Sequence, residues 1–132
     1  MSIIEENLKN LNIILPTAPA PAANYVPYSK TGKLIFVSGQ IPIVNGEMII
    51  GKVGKDTEVN DAVKAARACG LAIISQLREA TDSNLDSISK IIKLGGFVNC
   101  IDSFTKQPEI INGASDLMVQ VFGEKGKHSR FA

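Results

Sequence analysis

The chain has no tryptophan, one histidine and two cysteines. Each shortage removes a class of function. One histidine cannot build the multi-histidine sites that hold most catalytic metals. Two cysteines, Cys69 and Cys100, are too few for the disulfide framework of a small secreted domain. Both sit in apolar patterns and are read as buried thiols of a reducing compartment. Phe and Tyr supply only 5% of the residues, so the core must be aliphatic and stacking platforms for unpaired bases are scarce.

An excess of one charge is lacking too. Fourteen basic and 13 acidic residues leave a formal net charge of +1, whereas nucleic-acid binding needs a basic footprint. The one locally basic segment, Lys125, Lys127, His128 and Arg130, reads by charge alone as a solvated turn. No run approaches the roughly 20 apolar residues of a membrane helix. Glu5 and Glu6 stand where a secretory leader would be basic, so the cytoplasm is the expected compartment. A Gly-rich phosphate loop, a G-x-S-x-G elbow, C-x-x-C and H-E-x-x-H are all missing.

What is present suits one domain over residues 1–132: 45% of the residues are apolar and 20% charged. Ile4, Leu8 and Leu11 predict a short helix over residues 3–12. Pro16, Pro19, Pro21 and Pro27 then forbid a continuous helix and predict an extended strap carrying Tyr25 and Tyr28. The N-terminal helix and strap together occupy residues 1–28. Leu34 to Ser38 reads as a strand. Asn45-Gly46 predicts a tight hairpin turn, because both residues tolerate positive φ. Apolar residues every three or four positions predict a helix over 57–80, capped by Asp56 or Thr57, with Gln76 on its solvent face. Gly70 inside that helix points to close packing on a sheet. Residues 90–101 are strand-like around Gly95-Gly96, where a bulge or a close backbone approach is expected. Pro108 opens a second helix that Gly123 stops. The order implies α+β, with two main helices packed on one face of a mixed sheet.

No single motif carries chemistry, but a series of segments does. Ala20-Pro21-Ala22-Ala23-Asn24-Tyr25-Val26-Pro27-Tyr28 is followed by Phe36-Val37-Ser38-Gly39-Gln40-Ile41-Pro42. Then come Gly51-Lys52-Val53-Gly54, Gly96-Phe97-Val98-Asn99, Ile111-Asn112-Gly113-Ala114-Ser115-Asp116-Leu117 and His128-Ser129-Arg130. In this order and spacing the set resembles the RidA/YjgF family, once labelled endoribonuclease L-PSP. It is most similar to a branch with an extra N-terminal helix. The likeness runs from about residue 5 to the end.

The resemblance implies a chorismate-mutase-like fold and a barrel-like homotrimer with three clefts at the subunit interfaces. It also implies hydrolysis of reactive 2-imino or enamine acids to 2-keto acids and ammonia, with no cofactor and no metal. Arg130 matches the family arginine that grips the ligand carboxylate, and is the catalytic candidate. Ser38 and Gly39 match a pocket-lining pair. Tyr28 matches a tyrosine that closes the cleft; taken alone, it fits a core position equally well. Asn112 matches an asparagine near the pocket; by its residue type it can equally cap or brace a helix. His128 by itself reads as a surface or hydrogen-bonded residue.

Two positions depart from the family pattern. Ala132 stands where the deaminase branch usually has a cysteine. Family members also continue past this point through a final strand with a glutamate that helps to activate water. Without that strand and its acid/base candidate a sheet edge is expected to stand open, so either the sequence was cut or something else covers the gap. These departures keep a second function in view, a non-catalytic trimeric module that binds small carboxylates. A ribonuclease ranks below both, on charge and aromatic content. The expected partners are a small carboxylate ligand and other copies of the chain, with neither nucleic acid nor membrane.

Overall fold

The structure, a computed structural model, describes residues 2–21 and 23–132. Helix α1 covers Ile3–Asn10. The Ser2 hydroxyl caps it by accepting from the Glu5 N–H at 3.1 Å, and Glu5 and Glu6 complement its dipole. A second cap comes from far along the chain. The Asp86 carboxylate accepts from the N–H groups of Ile4 and Ile3, each at 2.9 Å. Those bonds, that from Ile4 foremost, hold the Asp86 carboxyl below its ordinary pKa. A carboxyl lowered on folding contributes stability above its unfolded-state pKa, and that stability is lost as pH falls through the folded value. Acidification below the ordinary value of 3.8 should therefore undock α1. Amide protection factors of residues 3–10 should fall in that range ahead of those in the central helices. Asp86→Asn should lower the same factors at neutral pH.

Beyond α1 the chain is extended and crosses the long helix α2, Val59–Ala80. The Ser75 hydroxyl donates to the Pro16 carbonyl and the Gln76 amide to the Pro19 carbonyl, both at 2.7 Å. Gln76 is only 1% exposed, which corrects its assignment to the solvent face. Periodicity counts a polar residue as outward, but here the strap brings a carbonyl to meet it.

Strands β1, Tyr28–Thr31, and β2, Leu34–Val37, pair antiparallel across Gly32-Lys33, with Gly32 at φ +55°. Strands β3, Ile43–Val44, and β4, Glu47–Met48, turn through Asn45 at φ +53° and Gly46 at φ +81°. That is the left-handed pair a two-residue turn requires. Helix α2 starts at Val59 with no side-chain cap. Asp56 is not its cap: it accepts from the Lys52 N–H at 2.6 Å and closes the preceding turn instead. A short 3-10 turn at Leu85–Ser87 leads to β5, Lys93–Gly95. Helix α3 spans Gln107–Phe122, with Pro108 in its first turn and Gly123 at φ +64° ending it. Strand β6, Ser129–Phe131, returns parallel to β5, with Leu94 beside Arg130.

The expected single mixed sheet takes the form of three two-stranded sheets among the described residues. The ladders are short for a local reason. Pro42 has no N–H to donate, and the Gly39-Gln40 and Gly95-Gly96 pairs interrupt the extended runs. Ile35 and Val37 of β2 and Leu94 of β5 pack on the core that Ile74, Leu117, Met118 and Val121 build between α2 and α3. Gly70 serves this helix–helix contact rather than a helix–sheet one: a Cβ there would lie 3.0 Å from Leu117 Cδ2 and 3.4 Å from Ala114 Cα. The opposite faces of the strands leave Leu34, Phe36 and Phe131 exposed.

Candidate functional site

Strand alternation aims Arg130 at α3 and Phe131 away from it. On α3, Asn112 and Ser115 stand three residues apart and so share one helical face. The Arg130 Nη1 group donates to Asn112 Oδ1 at 2.8 Å and to Ser115 Oγ at 3.1 Å. Its Nη2 group donates to the Pro108 carbonyl at 3.2 Å. The guanidinium is thus braced against the start and the middle of one helix.

Beside it lies an open cleft of about 270 Å³, lined by Asn112, Ser115, Asp116, Val119, Lys127, His128 and Arg130. His128 is half-buried, with both ring nitrogens engaged: Nδ1 with the Gly126 carbonyl at 2.6 Å and Nε2 with Ser115 Oγ at 2.9 Å. Gly126 permits this turn because a Cβ there would run into the Met118 carbonyl of α3. Lys127 forms an ion pair with Glu124 at 3.0 Å, and both side chains are well exposed. Such a pair contributes little.

Tyr28, Ser38 and Gly39 lie elsewhere. Tyr28 opens β1 opposite Val37. The Ser38 hydroxyl donates to the Val26 carbonyl at 2.7 Å, and its N–H donates to the Pro27 carbonyl at 3.0 Å. Gly39 is exposed, with open space where a Cβ would stand. None of these three lines the Arg130 cleft of its own chain. Of the expected site residues, then, the structure joins Arg130 to Asn112 and keeps the other three apart from them. Ser115 and His128 are members of the cleft that reading by residue type passed over. The Asn112-x-x-Ser115 spacing was the available signal; the pairing of β5 with β6 that brings Arg130 to it was not.

The family model described as "YjgF/chorismate_mutase-like, putative endoribonuclease" matches residues 5–132. The chain belongs to this family. Protein TCP17 of Trypanosoma cruzi is 44% identical over 131 residues, covering 98% of this chain and 81% of that protein. Protein HMF1 of Saccharomyces cerevisiae is 25% identical over 95 residues, 71% of this chain and 64% of that protein. Among solved structures, Atu1372 of Agrobacterium tumefaciens, a protein of unknown function, is similar at 41% identity and a TM-score of 0.88. That match covers 98% of this chain and 79% of the other. A candidate endoribonuclease from Shewanella oneidensis matches at 36% identity and a TM-score of 0.92, covering 97% and 85%. The fold of this YjgF-family chain is accordingly chorismate-mutase-like α+β, built of helices and small sheets. No helix of the described residues is long and apolar enough to cross a membrane.

Neither cysteine joins the cleft. Both are free and half-buried rather than fully enclosed. Burial pushes the Cys69 thiol up to about 11. Since the thiolate is the reactive form, iodoacetamide at pH 8 should modify Cys69 about a hundredfold more slowly than an ordinary thiol. Peptide mapping of the alkylated chain over time measures this, and rapid labelling would contradict it.

Proposed function

We propose that the Arg130 cleft binds small 2-imino acids by their carboxylate and hydrolyses them to 2-keto acids and ammonia without a cofactor. The carrying observation is the use of the Arg130 hydrogens. A guanidinium has five N–H donors. Two on Nη1 and one on Nη2 are taken by Asn112, Ser115 and Pro108. The Nε hydrogen and the second Nη2 hydrogen have no partner among the described residues. Two donors on a braced planar group suit the two oxygens of one carboxylate. The open cleft of about 270 Å³ beside the guanidinium has room for a small acid. RNA is a poor match, given the net charge of +1 and the scarcity of aromatics.

The reading includes a homotrimer, in which β1–β2 of one copy brings Tyr28, Ser38 and Gly39 to the Arg130 cleft of the next. Two features support it. The expected pocket walls stand away from Arg130 within one chain, and apolar side chains are left bare on the strand faces. Phe36 of β2 is 59% exposed and Phe131 of β6 46%, the kind of surface that marks an interface. Residence in the cytoplasm belongs to the same reading.

The test generates imines in situ with an amino-acid oxidase and follows ammonia release, with the mass in solution measured by light scattering. Acceleration by a species of three times 14.1 kDa supports the proposal. A folded monomer, or a trimer with no effect on imine decay, overturns it. Ala132, where the deaminase branch has a cysteine, favours the second reading, a binding module without turnover. Calorimetric binding of a 2-keto acid with no ammonia release would select that reading.

A further inference from the structure

The brace on Arg130 does not account for His128. The Gly126 carbonyl can only accept, so the Nδ1 atom facing it at 2.6 Å carries the ring hydrogen. In the neutral ring Nε2 is then the bare, accepting nitrogen. Ser115 Oγ, 2.9 Å away, donates its own hydrogen to Nε2 while accepting from Arg130 Nη1 at 3.1 Å. A hydroxyl, a base within hydrogen-bond reach and a third group that fixes the base form the arrangement by which enzymes move protons. Here it stands in the wall of the cleft that holds the arginine.

We infer that Ser115 and His128 are the proton-transfer pair of this cleft, accepting a proton from the water that attacks the imine carbon and returning it to the departing nitrogen. The inference rests on the reading of the cleft as an imine hydrolase. A water oxygen bonds to C2 of the protonated imine, and the C=N π pair moves to nitrogen. The water proton passes to Ser115 Oγ as the Ser115 proton passes to His128 Nε2, giving a neutral carbinolamine and an imidazolium. The imidazolium returns the proton through Ser115 to the amine nitrogen. The C–N bond then breaks, its pair leaves with ammonia, and ammonia takes the hydroxyl proton as C2 becomes a carbonyl. The imidazole ends as it began. The charged groups that share the cleft with this ring are Asp116 from α3, Lys127 from its own segment and Arg130 from β6. Lys127 is partly neutralised by Glu124.

His128→Asn is the informative variant. An Asn amide keeps a donor for the Gly126 carbonyl and removes the basic Nε2. Ammonia release should fall about a hundredfold or more in kcat, with KM unchanged because Arg130 is untouched. The wild-type limb of kcat that rises as an imidazole loses its proton should vanish, and added imidazole should restore part of the rate. Wild-type kcat and an intact limb in His128→Asn would overturn the pair while leaving the imine reading standing. A wild-type protein that does not accelerate imine decay overturns both. A separate measurement needs no turnover: the chain has a single histidine, so one imidazole signal pair appears in a nitrogen-15 spectrum. Protonated Nδ1 with bare Nε2 at neutral pH supports the pair, and the opposite tautomer overturns it even if imines are hydrolysed.

Discussion

Arg130→Ala is expected to cut affinity for small 2-keto acids by about a hundredfold or more, and to reduce imine hydrolysis at least as much. Two hydrogen bonds from a charged donor contribute about 1.5–3 kcal/mol each, and each 1.4 kcal/mol is roughly a factor of ten. Arg130 is only partly buried, so solvent screening places the loss at the lower end of that range. Arg130→Lys should recover little. An ammonium keeps the charge but not the planar fork, and its three N–H groups are too few for Asn112 Oδ1, Ser115 Oγ, the Pro108 carbonyl and both ligand oxygens at once. Calorimetric titration with a 2-keto acid gives the affinities, and ammonia release gives the rates. Affinity in Arg130→Ala within threefold of wild type would remove Arg130 from the site. The fold should tolerate the change, because Asn112 is exposed and can turn to water. A loss of ligand binding with an unchanged melting temperature is therefore the informative pattern.

The sequence showed most where a rule is local. Asn45 and Gly46 sit at positive φ because a two-residue turn needs them there. Pro108 and Gly123 bound α3 closely, since one lacks an N–H that a first turn does not use and the other adopts a conformation that costs other residues energy. The series of motifs placed the chain in its family but could not say which residues meet. Arg130 meets Asn112 through the pairing of β5 with β6, strands more than thirty positions apart, and no local pattern encodes such a pairing. The same holds for Asp86, which caps a helix 82 residues earlier, and for Gln76, whose burial depends on a carbonyl from the strap. His128 is the clearest case. Its residue type left a surface or a hydrogen-bonded position equally open, and only the fold supplies the partners, Gly126 and Ser115, one on each side of the ring.

Gly113→Ala should destabilise the protein although it replaces glycine by alanine inside a helix. At an open helical site that exchange gains about 1 kcal/mol. Here a Cβ on Gly113 would run into the Val63 carbonyl oxygen of α2, and Val63 Cγ1 would lie only 3.1 Å away. The oxygen is backbone and cannot swing aside like a side chain, so the helices must part. Parting them loosens Leu117 and Ala114 against Gly70, a close approach of α2 and α3. Overpacking of this kind costs about 1–3 kcal/mol, occasionally more. A clash with rigid backbone lies at the upper end, so the net loss should be about 2 kcal/mol, or roughly 6–10 °C in Tm for a chain of this size. The effect should reach the cleft as well. Pro108, Asn112 and Ser115 all lie on α3 with Gly113, so moving the helix moves every brace of Arg130. Carboxylate affinity should then fall in Gly113→Ala even at temperatures where it is fully folded. A variant that melts at or above wild type would mean that α2 and α3 stand further apart than the position of the Val63 carbonyl requires.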